Sequence, residues 1–549
     1  MVGRDAPVLV AGGGPVGLTL ALDLGRRGVP CLLVEPHLEA TDQPRCTLTN
    51  MRSMEHFRRL GVAPAIRAAG VARDYRHDVV FAARIFGHEI CRFSYPSPLE
   101  ADATGGSIAF DSPYGVERPQ RISQIFLEPV LRRAVAETPG VAARYGWRVA
   151  RVEAAHEDGA EAVLVEDASG REERVHARWV ADCTGGASAL RDAAGVELLG
   201  RRAVSQQVGV FFRSKGLRHA NPLGDALMWF IANPELRGTL VAVDGRELFT
   251  FHRVLPLDVD PEKLEPEAVV RAALGDRDRE VDVEVLAVHP WRAHLMVAER
   301  YREGPLFFVG DAAHLLIPTG GFGMNTGIGD ACDLAWKLAA AHEGWAGPGL
   351  LDAYEAERRP IAERNVAASA SNAAGLMAAP IPPQLEADGP DGEGLRRLVG
   401  ERILASQRKE FESAGVQLGY RYEGSPLVVA DGTPAPPDDE IEYLPTTRPG
   451  SRLPHVVLPD GGALFGRLAA GFTLLRVGPE APSGADFART ARVLGVPLDV
   501  LSLPDLRPAL ERRLVLVRPD QHVAWRSDEP PDDAAAVLER ARGAVPRIS

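Results

Sequence analysis

The sequence predicts an α/β protein. Its main part is a mostly parallel, doubly wound sheet, interrupted by an inserted antiparallel sheet and followed by a further C-terminal domain. Three observations predict this. A short apolar run, Pro7 to Ala11, leads into Gly12-Gly13-Gly14-Pro15-Val16-Gly17, a helical pattern and a second apolar run, Cys31 to Glu35; this is the strand-helix-strand opening of a parallel sheet. Between about 203 and 292 apolar and polar residues alternate in segments separated by turns, the mark of an antiparallel sheet. At Leu306-Phe307-Phe308-Val309 the pattern returns to a buried strand, which runs into another glycine-rich loop.

The first helix is expected from about Val16 to Arg27, with Gly28 as its stop. A polar stretch to about residue 50 precedes a helix from about Arg52 to Leu60. Residues 75 to 118, rich in Gly, Pro and Ser, read as strands and loops. Phe126, Leu127, Val130, Leu131 and Ala134 share one face of a helix from about Ser123 to Glu137. Residues 141 to 180 read as strands joined by turns at Glu157-Asp158-Gly159 and Asp167-Ala168-Ser169-Gly170. In the insert, Gln207 to Phe212, Ala226 to Ile231 and Glu247 to His252 are strands, with a helix near Pro266 to Leu274. Long helices follow over about Asn325 to His342 and Asp352 to Ala370. Residues 379 to 396, rich in Pro, Gly and acid, read as a linker or exposed loop. Beyond them come short strands at Phe472 to Val477 and Leu514 to Arg518. The expected division is therefore 1–200 with 290–395 as one discontinuous domain, 201–289 as the insert, and 400–549 as the last domain. Parts of 75–118 are expected to face the insert's site.

Composition narrows the function. The 549 residues carry a formal charge of −13, which argues against a nucleic-acid binder or a surface held to anionic lipid. The five cysteines are scattered and form no CxxC pair, so neither a zinc ribbon nor a dithiol site is signalled. No metal site is expected, because no His/Cys cluster has ligand spacing. No leader pattern and no run of about 18 apolar residues is visible, so the expectation is a cytoplasmic protein with no membrane partner.

The chemistry lies in the two glycine loops. Gly12-x-Gly14-x-x-Gly17 sits between a strand and a helix: Gly12 permits the turn, Gly14 lets backbone approach a pyrophosphate, and Gly17 lets helix and strand pack closely. Pro15 and Val16 complete that loop, and the helix N-terminus offers unpaired N–H groups. Glu35 closes the second strand, where a carboxylate can bond an adenosine ribose; an acid there favours an unphosphorylated ribose, as in FAD or NAD. This is a Rossmann-like dinucleotide site. In the second loop Asp311 ends a buried strand, and Pro318, Gly320, Gly321 and Gly323 leave backbone bare where a planar ring must lie. Met324 and Asn325 then open a helix whose N-terminus stabilises negative charge on such a ring.

Together these segments resemble the FAD-dependent aromatic hydroxylases, the single-component flavoprotein monooxygenases, over nearly the whole chain. The carriers are Gly12 to Gly17 with Glu35, Gly310-Asp311-Ala312-Ala313-His314 with Pro318, and Gly320-Gly321-Phe322-Gly323-Met324-Asn325 continuing to Asp330 and Leu334 to Leu338. Arg45 with Asn50 to Glu55 is similar to the segment whose arginine lies near the flavin ring and the entering nicotinamide. Arg121 and Gln124 to Glu128 are similar to the helix beside the FAD. Arg448 to His455 and Leu516 to Asp520, with Val523 to Arg526, resemble the last domain of the chlorophenol, polyketide and indolocarbazole oxygenase branch. That resemblance implies a thioredoxin-like domain, here without CxxC and suited to a structural role or a homodimer interface.

The resemblance implies a monooxygenase. NADPH or NADH reduces FAD, the reduced flavin captures O2 as a C4a-hydroperoxide, and a phenolic or polycyclic aromatic substrate attacks the distal oxygen. In one place the chain departs from the pattern. The family's Asp-Gly before Ser-x-x-Arg reads Thr184-Gly185 before Ser188 and Arg191. Gly185 is kept at the cofactor, Thr184 carries no charge, and Asp182 is the carboxylate that a register shift would bring in. No substrate base is evident. Trp229, His252 and Arg292, with Phe251, are the candidates on the strands facing the pocket, and His314 is expected to be a structural donor. Two alternatives stay open: the same scaffold performing a Baeyer–Villiger or other oxidation, and a flavin-binding protein that shields a reactive intermediate.

Overall fold

A computed structural model describes residues 5–156, 159–275, 281–377 and 381–544. The first sheet runs Arg302–Glu303, Leu306–Phe308, Glu172–Asp182, Asp5–Ala11, Cys31–Glu35 and Val141–Tyr145 in spatial order. Every pairing of this path after the first is parallel, and Ala11, Val34, Asp182 and Phe308 lie side by side near their strand ends. The strands Trp147–His156 and Gly159–Glu166 extend it as a hairpin from Glu172–Asp182. The turn expected at 167–170 joins two of these strands; Glu157 and Asp158 of the other expected turn lie outside the described residues.

Each bounding helix has a local cause. Pro15–Arg26 starts with Pro at its first position, where a missing N–H costs nothing. Met51–Arg59 is capped by the Asn50 side chain, which accepts the Ser53 N–H. Phe322–Glu343 is buried on nearly every side, so it is a core helix rather than an amphipathic one, and it stops at left-handed Gly344. It packs along Pro15–Arg26, and Gly327 makes that possible: a Cβ there would sit 2.7 Å from the Val16 methyl.

The second sheet has eight strands, running His314–Leu315, Glu284–Ala298, Leu198–Arg213, Leu248–Leu255, Arg237–Ala242, Met228–Ala232, Val79–Ala82 and Glu89–Phe93. It is antiparallel except that Met228–Ala232 pairs parallel with Val79–Ala82. The last two strands come from the 75–118 stretch. That stretch also holds a helix not expected from its Pro and Gly content, Pro98–Thr104, set by a capping box between Ser97 and Glu100.

The segment expected to be a linker is corrected. Pro390–Phe411 is a 22-residue helix, again begun by proline, and it runs through the expected boundary at 400 to pack on Glu89–Phe93 and on the helix Ala353–Met377. Glycine within this helix answers to packing: Gly400 is needed because a Cβ would meet the Ile90 carbonyl at 2.7 Å.

The C-terminal sheet has the order Leu498–Leu503, Phe472–Val477, Leu514–Val517, Val523–Ser527. The first pair is parallel, and Leu514–Val517 is antiparallel to both its neighbours. With helices Ala485–Leu494 and Ala534–Ala541 this is the thioredoxin-like topology, and all five cysteines, each free, lie outside it. The seam to the rest is partly aromatic, with Trp336, Trp345 and Phe472 in edge and stacked contact. It is also ionic. The Glu357 carboxylate accepts from Lys337 Nζ at 2.6 Å, Arg518 Nη2 at 2.9 Å and Ser425 Oγ at 2.5 Å, all out of contact with water. A second buried group joins Arg52 and Arg452 to Glu55. No helix among the described residues is long and apolar enough to cross a membrane.

Candidate active site

The carboxyl ends of the central strands lie side by side, and this is the edge at which doubly wound sheets bind ligands. The first glycine loop follows Ala11, and each glycine has its own reason. Gly12 is left-handed at φ +104°, and a Cβ would lie 2.3 Å from the Cys183 carbonyl. At Gly17 a Cβ would lie 2.0 Å from the Gly12 carbonyl. At Gly14 a Cβ would meet nothing within 4 Å. Gly12 and Gly17 are thus demanded by the protein's own packing, whereas Gly14 is bare toward open space. Glu35 stands at the side of this loop, accepting the Gly13 N–H at 2.6 Å and the His37 N–H at 2.9 Å. Each carboxylate oxygen keeps a lone pair for a hydroxyl.

The second loop closes the other end. Gly310 is left-handed and abuts Val16, which brings Asp311 toward the first loop. Gly320 and Gly321 are left-handed at φ +82° and +67°, and Gly321 caps Phe322–Glu343. Gly323, in the first turn, faces open space. Asn325 fixes this end to the chain near residue 50: its Nδ2 donates to Leu48 O at 2.9 Å, and its Oδ1 accepts the Asn50 N–H at 2.9 Å. Met324 is nearly buried, and Pro318 is exposed at the loop's start.

Asp311 and Cys46 touch solvent, yet both are crowded by protein. Burial pushes the Asp311 carboxyl up against the pull of His314 and Arg45, and it pushes the Cys46 thiol up to about 12. A side chain that reaches solvent yet is surrounded by protein on most sides stands in a recess. Arg45, exposed, has its guanidinium on Gln43. Arg121 is 3% exposed, donates to Thr47 Oγ1 at 2.7 Å and lies over the Phe110 ring. No carboxylate among the described residues pairs with it, and burial pushes it down to about 10. A buried cation without a counter-charge fits an anionic or strongly polar ligand. Gln124 donates to Glu128 at 2.6 Å, and Glu128 in turn accepts the Thr41 N–H. We expect Arg121→Gln to weaken FAD binding about tenfold with little change in melting temperature, read by flavin fluorescence; equal binding would remove Arg121 from the site.

The Asp182 loop is wired internally. Asp182, fully buried, accepts from the Thr184 N–H at 3.1 Å, from Thr184 Oγ1 at 2.7 Å and from Ser188 Oγ. Thr184 therefore spends its hydroxyl on Asp182, which lies beneath the loop, while left-handed Gly185 faces open space. His314 is likewise structural: its Nε2 lies 2.8 Å from Asp330, which also holds Arg358 Nε at 2.7 Å.

The substrate-side candidates separate by register. Phe81, Phe230, Thr239, His252, Gly209 and His289 form one cross-strand row. Trp229 and Phe251 belong to the alternate face and pack in the core beneath the sheet, and neither lines the cavity described below. Arg292 is exposed and donates to Gln206 at 3.2 Å. His252 stays in the row, with burial pushing it down to about 4, so it is neutral; its Nε2 is 3.3 Å from Thr250 Oγ1. Beside it lies a cavity of about 290 Å3 lined by Phe81, Phe230, Thr239, Val254 and, from the helix Pro390–Phe411, Ile403 and Gln407. That helix was not part of the sequence reading of the site.

The chain is similar to characterised proteins along its length. Residues 5–369 match the FAD binding domain family, and residues 446–545 match the aromatic-ring hydroxylase C-terminal family. It is 33% identical to the FAD-dependent monooxygenase apdD of Emericella nidulans, covering 98% of this chain and 90% of that protein. It is 32% identical to aklavinone 12-hydroxylase RdmE of Streptomyces purpurascens, covering 98% of both. The structure of the rebeccamycin biosynthetic enzyme RebC with reduced flavin superposes with a TM-score of 0.90 at 35% identity, covering 98% of this chain and 99% of that one.

Proposed function

This chain belongs to the FAD-dependent aromatic-ring hydroxylases, and from that premise we propose that it adds one oxygen atom from O2 to a phenolic or polycyclic aromatic, using NADPH or NADH as reductant. The observation that carries this reading is the apolar cavity of about 290 Å3, walled by Phe81 and Phe230 and bordered by the helix whose end reaches the second glycine loop. The stacked Phe81 and Phe230 rings, 4.6 Å apart, offer a flat wall to a flat substrate.

The residues fit FAD. Gly14 leaves room for a pyrophosphate, Glu35 offers oxygens to a ribose, Asp311 stands in a recess, and Arg121 supplies a buried positive charge. When bound, FAD supplies the electron transfer and oxygen activation. The chain's own work is to orient and exclude. The helix end at Gly321–Asn325 presents N–H groups toward the ring site and favours negative charge there. Phe81, Phe230, Ile231 and Val254 exclude water beside it.

The test uses purified FAD-loaded protein with NADPH or NADH and a panel of planar phenols. The expected result is aromatic-stimulated oxidation of the nucleotide and a product heavier by one oxygen. If the yellow protein oxidises neither nucleotide with any aromatic, the hydroxylase reading fails and a shielding flavoprotein takes its place.

A further inference from the structure

We propose that Glu410 is the proton acceptor for the phenolic hydroxyl of the substrate, placed where the apolar cavity meets the second glycine loop. This deepens the hydroxylase reading and rests on it. Val399, Ile403, Ser406 and Gln407 turn toward the cavity from the helix Pro390–Phe411. Glu410 follows Gln407 by three residues and Ile403 by seven, so it continues the same face one turn farther on. There its Oε1 accepts the Gly320 N–H at 3.3 Å. Phe411 beside it packs on Phe230 of the cavity wall and on Phe110, over which Arg121 lies. Glu410 is thus a buried carboxylate, 5% exposed, at the junction between the substrate cavity and the ring site.

Its surroundings suit the task. Burial pushes its carboxyl up to about 7, opposed by the Gly320 N–H. Such a group is ionised in mildly alkaline solution yet basic enough to hold a proton, the range a general base needs. Charged groups also stand on the elements packed against its helix. Glu89 and Arg92 pair with one another, and Glu386 pairs with Arg84. The helix Ala353–Met377 presents Asn372 near Gly320, and Lys409 is held by Ser371 and Glu440. In the step, the phenol O–H bond breaks, its proton forms a new O–H bond on Glu410, and the electron pair stays on the substrate oxygen. The ring carbons ortho and para to it become more nucleophilic. Gln407 and Ser406, which line the cavity, are positioned to orient the phenol; no redox change accompanies the transfer.

The probe is alizarin, a planar tricyclic phenol that changes colour on ionising, bound to the FAD-loaded protein and titrated by difference absorbance. A carboxylate touching the phenol opposes its ionisation, so Glu410→Gln is expected to lower the apparent pKa of bound alizarin by about one unit, with Glu410→Asp staying near wild type. Failure of wild type to bind alizarin, or a transition unmoved in Glu410→Gln, overturns the proposal. Turnover supplies a second arm. Glu410→Gln is expected to cut hydroxylation of a weakly acidic phenol about 100-fold, and to cut it no more than about threefold for a nitrophenol that is already ionised. Equal losses for both phenols overturn it as well. Should the variant not fold, wild type alone decides: turnover of the weakly acidic phenol falls about tenfold per pH unit below about 7, and a flat profile sinks the assignment. Absence of aromatic-stimulated turnover in wild type counts against the hydroxylase reading instead, which keeps the two failures apart.

Discussion

Glu357→Gln is expected to lower the unfolding free energy by about 3–5 kcal/mol, the usual consequence of removing one partner from a buried ionic group. Glu357 takes hydrogen bonds from Lys337, Arg518 and Ser425, and all four side chains are out of reach of water. Burial alone would raise its carboxyl, but the Arg518 and Lys337 charges outweigh that and hold it down to about 2. A neutral amide leaves the two cations facing one another with only Asp333 and Asp520 to share. Because Lys337 lies on the core helix and Arg518 in the thioredoxin-like domain, the loss falls on the seam between them. Equilibrium urea unfolding measures it. The double variant Glu357→Leu with Lys337→Met, which removes one ion of each sign and leaves Arg518 paired with Asp520 and Asp333, is expected to recover part of the loss. A single variant within about 1 kcal/mol of wild type would mean that water reaches the seam.

Gly14→Val is expected to give a folded, colourless protein. The backbone at Gly14 is extended at φ −73°, a conformation valine adopts readily, and nothing in the protein stands within 4 Å of the new Cβ. The branched side chain instead fills the space in which a pyrophosphate must approach the backbone. We expect the FAD dissociation constant to rise about 100-fold or more, equivalent to ~3 kcal/mol, with the melting temperature of the flavin-free protein nearly unchanged. Gly17→Val is the contrasting control: its Cβ would strike the Gly12 carbonyl, so folding itself fails. Absorbance of bound flavin and thermal melting of the apoprotein separate the two. A yellow Gly14→Val protein of normal affinity would place the cofactor elsewhere.

Legibility followed the range of the interactions. The helix Pro266–Leu274 begins and ends where the pattern predicts, because a proline opens it and left-handed Gly275 closes it. The helix Pro98–Thr104 carried an equally local signal, Ser97 with Glu100, hidden by the surrounding Pro and Gly. The helix Pro390–Phe411 was masked by Gly389, Gly392 and Gly394, although Pro390 marks its start. On the substrate side, alternation identified the strands but not which face meets the cavity, so Trp229 and His252 looked alike until pairing put them on opposite faces.

By itself, then, the sequence determined the two glycine loops, the acid at the end of the second strand and the change from parallel-sheet to antiparallel-sheet patterning and back. These follow from backbone conformation and periodicity, which neighbours in the chain impose on one another. Only the tertiary structure decided that Arg121 is buried without a carboxylate, that Thr184 is spent on Asp182, and that Glu410 reaches the Gly320 N–H across 90 residues. Desolvation and charge pairing depend on what the fold brings alongside, and nothing within a few residues of Glu410 records that its carboxylate will be buried against the Gly320 loop.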